Sequence, residues 1–212
     1  MKTPRLIYPS RVKTIVGIDQ FKHYIKLTEQ ALFEEARNEH ISEKDPLLKT
    51  IDYRNNFIFP EIHKRSMFIT LYSFVEKELI QLAQLYQKTN NPLVKFDDYS
   101  GSGIDKVKEF FSKSIGIKIA VNDWSKLICY RGIRNHFAHV PNDYLASNSK
   151  YLNSFRQIQT IKLTPYTWDN NTIYDIHVPN EFIYEALDTI ENYFNDLYDI
   201  LESHDNYEYP TP

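Results

Sequence analysis

The densest group of reactive side chains in this sequence is the stretch Arg131-Gly132-Ile133-Arg134-Asn135-His136-Phe137-Ala138-His139, followed directly by Val140-Pro141. Histidine titrates near neutral pH, so it can take up or release a proton during a reaction. Arginine keeps its charge and grips phosphate or carboxylate oxygens through paired N–H groups. So many groups of these types close together could do chemistry, and could equally take part in a structural salt bridge.

On a helix turning ~100° per residue, Ser125, Gly132, His136 and His139 share one face, with Asn135 at its edge. Trp124, Leu127, Tyr130, Ile133, Phe137 and Ala138 cover the rest, and Arg134 falls among them. A guanidinium in that position needs a paired carboxylate or a bound anion. Glu76, between the polar and apolar stripes of the longest helix, is the best-placed carboxylate; the alternative is an ordinary boundary Glu that reaches solvent. Arg131 forms a second Arg-x4-His pattern with His136, as an alternative or supporting pair. Gly132 costs a helix ~1 kcal/mol relative to Ala, and its missing side chain would let another helix or backbone approach the histidine face. In a two-fold dimer that face would meet its own copy.

Other combinations are thinner. His136 and His139 could share a metal with Asp143, but a third well-placed ligand is not evident, and no metal or cofactor is implied. Cys129 could serve His136 as a thiol nucleophile or fill the core as a small apolar residue. Gly101-Ser102-Gly103 lacks the Lys-Ser/Thr ending of a phosphate cradle and reads as a flexible linker. Lys64 and Arg65 form a small basic cluster at the start of the longest helix.

Helices must position these groups. Phe68, Leu71, Val75, Leu79, Leu82 and Tyr86 form one stripe of a helix over 61–88, opposite Thr70, Lys77, Gln81, Gln84 and Lys88. Ile183, Leu187, Ile190, Phe194, Leu197 and Leu201 do the same over 180–201. Further helices are expected over 19–43, 103–115 and about 122–140, the last capped by Asn122 or Asp123 and stopped before Pro141. Pro4 and Pro9 suggest an extended arm over 1–18, and 46–60 reads as a linker closed by Pro60. Residues 142–154 read as a loop. Period-two alternation over 156–163 and 172–178 predicts a small β-hairpin with a long connection, an elaboration over 155–178. The fold class is mainly α: an antiparallel helical bundle of about five helices with a β-hairpin before the last one, in a single domain over 1–212.

Composition narrows the field. Among 212 residues only 5 are Gly, too few for a fold made of many tight turns. The single Cys excludes an internal disulfide framework or a Cys-rich zinc site. No run approaches the ~18 apolar residues of a membrane span, and the N-terminus lacks an apolar signal core, so a cytoplasmic protein is expected. Residues 181–212 carry nine acids and no Lys or Arg, leaving 19 acids and 25 bases before them. A basic body with an acidic last helix suits a polyanionic partner; a solvated acidic helix face accounts for the same charges.

Arg134-Asn135-His136-Phe137-Ala138-His139 resembles the signature of the HEPN superfamily (higher eukaryotes and prokaryotes nucleotide-binding), which is an Arg, four to six residues and a His, often with Asn after the Arg. Leu71-Tyr-Ser-Phe-Val-Glu76-Lys-Glu-Leu79 is similar to the helix that commonly precedes the motif in prokaryotic members. The resemblance covers roughly residues 60–202 and leaves the first 60 residues and the hairpin unexplained. It implies a helical domain, commonly a symmetric dimer whose two motifs line one cleft. Many such proteins are metal-independent endoribonucleases of toxin–antitoxin, phage-defence or RNA-processing systems; others only bind.

On this resemblance Arg134, Asn135 and His139 are the catalytic group, Arg131, His136 and Glu76 support it, and Lys64 and Arg65 contact RNA. An antitoxin or defence partner is a further implication. RNA brings its own nucleophile, the 2′-OH beside the scissile phosphate. A His removes that proton or protonates the leaving 5′-oxygen, while Arg stabilises the growing charge. A 2′,3′-cyclic phosphate and a 5′-hydroxyl result. One geometric difficulty stands: on a straight helix Arg134 and His139 point ~140° apart.

Overall fold

The computed structural model describes residues 4–38, 57–101, 103–120, 122–140 and 144–204. Over these residues the chain is mainly helical, with one small antiparallel sheet. The helices are α1 (Pro4–Asn38), α2 (Phe59–Asn90), α3 (Gly103–Phe110), α4 (Trp124–His139), α5 (Leu152–Arg156) and α6 (Asn180–His204). A single π-helical turn, Phe111–Ile115, extends α3 until Gly116, whose φ of 83° lies in the left-handed region that glycine favours. None of these helices is long and apolar enough to cross a membrane.

Three expectations need correction. Residues 4–18 are not an extended arm but the start of α1. Pro4 opens the helix, where its fixed φ fits and its missing N–H costs nothing. Pro9 sits one turn further in and removes only one bond close to the helix end. Ile7, Thr14, Ile18 and Ile25 are buried and fall within ~40° of one line along α1, so the first half has a core-facing stripe after all. Pro60 closes no linker; it lies in the first turn of α2. The expected end of the first helix near Glu43 and most of the 46–60 linker lie outside the described residues.

The third correction concerns the sheet. Strands β1 (Tyr144–Ala146), β2 (Lys162–Trp168) and β3 (Asn171–His177) pair antiparallel in the order β1-β3-β2. The hairpin begins at Lys162 rather than 156 and has no long connection. Asp169 and Asn170, with φ of 47° and 61°, make a two-residue turn, and positive φ at both positions is what a type I′ hairpin turn requires. Residues 152–156 are helical, and β1 lies in the stretch that reads as a loop.

The described residues gather into two compact units. One comprises Met1–Ile18, Tyr72–Leu127 and Leu187–Pro212, the other Asp19–Leu71 and Ile128–Ala186. The predicted stripes of α2 and α6 are buried throughout, from Phe68 to Tyr86 and from Ile183 to Leu201. Each fully buried Leu, Ile or Phe contributes about 1.5–3 kcal/mol by leaving water. In the first unit Phe111 meets Tyr86 and Phe110 with ring centroids 5.1 and 5.7 Å apart. In the second, Phe68 meets Tyr130 and Phe182 with ring centroids 5.7 and 4.7 Å apart.

Candidate functional site

Helix α4 carries the Arg/His stretch, and the part from Ile128 onward belongs to the second unit. Tyr130 and Ile133 are fully buried and anchor the helix, while Arg131, Arg134 and Asn135 are half-buried and His139 is exposed. Arg134 Nη1 donates a hydrogen bond to Asn135 Oδ1 at 2.9 Å. The helix stays regular to its end, since the Val140 N–H bonds the His136 carbonyl at 2.9 Å. It does not loosen before Pro141. Arg134 and His139 of one chain therefore keep the ~140° divergence of a straight helix.

The two histidines have different surroundings. His136 is only 2% exposed. Its ring sits among Phe155, Tyr151 and Phe137, at centroid distances of 5.3, 5.9 and 6.0 Å. Neither ring nitrogen has a hydrogen-bond partner among the described residues. Burial, helped by the positive charge of Arg65, pushes its pKa down to about 4. His136 is thus neutral near pH 7 and shut off from substrate, which weakens Arg131 and His136 as the reacting pair.

Gly132 does permit a close approach, but the neighbour is the chain's own α5. A Cβ placed on Gly132 would collide with Ser154 Oγ and lie 2.7 Å from the Ser154 Cβ. The histidine face near Gly132 and His136 is covered from within, so Gly132 does not offer it to a second copy. Cys129 is buried, donates to Gln157 Oε1 at 3.0 Å, and has its thiol pKa raised by burial. A protonated, occupied thiol is a core residue, not a nucleophile.

Lys64 and Arg65 are less available than the sequence suggests. Lys64 bonds Glu61 and donates to the Val178 carbonyl. Arg65 lies 3.9 Å from Glu61 and 5.3 Å above the Phe137 ring centroid, a cation–π contact. Their side chains are only 11% and 18% exposed. Arg65 also lines an open cleft of about 450 Å3 at the start of α2, with Ile62, Asp175 and His177. Glu76 belongs to the first unit, where its Oε1 would stand 2.6 Å from a Cβ on Gly103. No group of three His, Cys, Asp or Glu side chains able to hold a metal ion occurs among the described residues; Asp143 lies outside them.

The structure thus brings Arg134 to Asn135, and Arg65 to Phe137 beside His136, and leaves His139 open at the helix end. Tyr166 and Trp168 on β2 are exposed and belong to no motif of the sequence. No family model, curated protein or solved structure matches the chain significantly.

Proposed function

We propose that this chain is a HEPN-type endoribonuclease: an antiparallel helical bundle that acts as a homodimer, cuts RNA without a metal ion, and serves in the cytoplasm in phage defence or a toxin–antitoxin system, alongside an antitoxin or defence partner. One observation carries the reading. Of the two histidines of the motif, the one that the family pattern assigns to chemistry, His139, is exposed at the end of α4, while His136 is withdrawn into an aromatic cage.

In this reading His139 exchanges the proton of the 2′-OH or of the leaving 5′-oxygen. Arg134 binds the phosphate and offsets the charge that grows on it. Asn135 holds the guanidinium in place, as its 2.9 Å bond to Arg134 already does. Because the two side chains diverge on a regular helix, Arg134 and His139 act on one phosphate when they come from different copies of the chain. A two-fold dimer supplies this arrangement.

The same divergence favours a second reading, a HEPN module that binds nucleic acid or protein without cutting. One experiment separates the two. Purified protein is incubated with mixed RNA in EDTA and the product ends are mapped. Cyclic phosphate ends that appear with the wild type and fall about 10²–10⁴-fold in His139→Ala match the nuclease. Intact RNA with both proteins overturns it in favour of the binder.

A further inference from the structure

We propose that α5 is a cover over the histidine face of α4, held shut while His136 is neutral and released when that ring takes up a proton. The inference does not depend on the RNA reading above. Three contacts form the seam between the two segments. Cys129 donates to Gln157 Oε1 at 3.0 Å, a Cβ on Gly132 would collide with Ser154, and the His136 ring meets Tyr151 and Phe155 at 5.9 and 5.3 Å. As the residue number rises along α4 it falls along the facing segment, so the two lie antiparallel. The seam joins a thiol, a glycine and an imidazole to an amide, a hydroxyl and two rings, and none of these contacts is an ion pair.

His136 is the weak point of that seam. It is buried, and neither ring nitrogen has a hydrogen-bond partner among the described residues. An imidazolium in its place would need a carboxylate, or acceptors for both N–H groups. From α5 it faces the Tyr151 phenol and the Phe155 ring, with the Lys150 ammonium 5.0 Å from the Tyr151 ring centroid. From α2 it feels the Arg65 guanidinium, and on its own helix the Phe137 ring lies 6.0 Å away. Glu61, which could offset these cations, is engaged by Lys64 and Arg65. The smallest rearrangement that admits the proton is to lift α5. This helix has five residues and no side-chain cap at its N-terminus, far short of the ~12–15 residues that a helix needs to stand alone. Its backbone bonds are local, such as Leu152 N–H to the Ser149 carbonyl at 3.1 Å and Gln157 N–H to the Asn153 carbonyl at 3.2 Å. It can therefore open without breaking the sheet or a long helix. Leu152 and Phe155, both buried, oppose the opening and keep the cover down at neutral pH.

The chain supplies its own probe. Cys129 is its only cysteine and is buried in the same seam, so thiol labelling reads the opening of the cover. The wild type is treated with a low concentration of a dipyridyl disulfide, which reacts in acid as well as at neutral pH. Each rate is divided by that of the chain unfolded in urea at the same pH. With a folded pKa of about 4 against an ordinary 6.5, this ratio should rise about twentyfold from pH 7 to pH 5. It should also exceed the globally unfolded fraction, measured by urea denaturation at the same pH, by about tenfold or more. Circular dichroism at pH 5 should retain the long helices. In His136→Phe the rise should vanish, and His136→Gln serves the same purpose if the apolar ring disturbs the fold. A ratio that does not change with pH overturns the proposal, as does the same rise in both variants. A ratio equal to the globally unfolded fraction at both pH values also overturns it, because the seam then opens only with the whole protein.

Discussion

Two polar regions of this molecule are built on opposite plans. In the first unit, Lys13 Nζ donates to Glu78 Oε1 at 2.8 Å, the Thr14 hydroxyl to Glu78 Oε2 at 3.2 Å, and Thr14 and Tyr198 share a hydrogen bond of 2.9 Å. Arg11 reaches Asp199 and Glu202 at 2.9 and 3.0 Å. These partners are far apart in sequence and tie α1 to α2 and α6. In the second unit, at the end of α4, Arg134 bonds its own neighbour, His136 lies buried without a hydrogen bond, and His139 stands in solvent. The first arrangement consumes its charges to hold helices together. The second keeps an exposed imidazole and a positioned guanidinium, at the expense of a histidine stranded in the core.

The contrast can be broken by mutation, starting where the largest effect is expected. Gly132→Leu drives a side chain into Ser154, and overpacking of this kind should cost about 3 kcal/mol in chemical denaturation. A Gly132→Leu protein as stable as the wild type would show that α4 and α5 do not pack as described. The substitution tests packing rather than dimerisation.

Acid is the second probe. The folded pKa of His136 is about 4 against an ordinary 6.5. Between those values the unfolded chain takes up a proton that the folded chain refuses, so stability is full above about pH 6.5 and falls as pH drops toward 4. About 2 kcal/mol should be lost between roughly pH 7 and 5. His136→Phe should keep the fold and remove this slope, since replacing an unbonded polar ring by an apolar one is close to neutral. Equal slopes in the two proteins would clear His136 of the effect.

The smallest effects belong to the closed cluster. Glu78 is 5% exposed, so Glu78→Ala should cost about 1–2 kcal/mol by depriving Thr14 and Lys13 of their acceptor. Lys13 is 56% exposed, and Lys13→Ala should cost less than about 1 kcal/mol. Thermal melts of the two single variants and the double variant measure the coupling, and strict additivity would dissolve the cluster.

The long helices were legible because a single periodicity dominates them: the stripes from Phe68 to Tyr86 and from Ile183 to Leu201 need no tertiary information. Only the first half of α1 hides, behind Pro4 and Pro9, residues that break a helix interior but not its opening, and behind Thr14, a polar residue in the buried line of Ile7, Ile18 and Ile25. The start of β2 is not legible because Ile161 alternates with Leu163 in the sequence, yet it is buried with Phe155 and Ile158 at a spacing of three in the turns after α5. At the site, helical phase placed Gly132, His136 and His139 on one face. It could not say that Ser154, Tyr151 and Phe155 would cover the first two and spare the third, because that depends on a short helix with no pattern of its own.

The tyrosine-rich interior has a consequence at the other end of the pH scale. Tyr72, Tyr86, Tyr130, Tyr193 and Tyr198 are among the largest side chains buried without exposure. Burial pushes the Tyr198 phenol up to about 12 and raises that of Tyr193, which donates to the Ile119 carbonyl, further still. Phenols that cannot ionise in place favour folding below about pH 10, and that contribution drains away as alkali lets the unfolded chain give up the same protons. In strong base the core fails through its phenols. The buried set ionises in one cooperative step with the collapse of the helices around it.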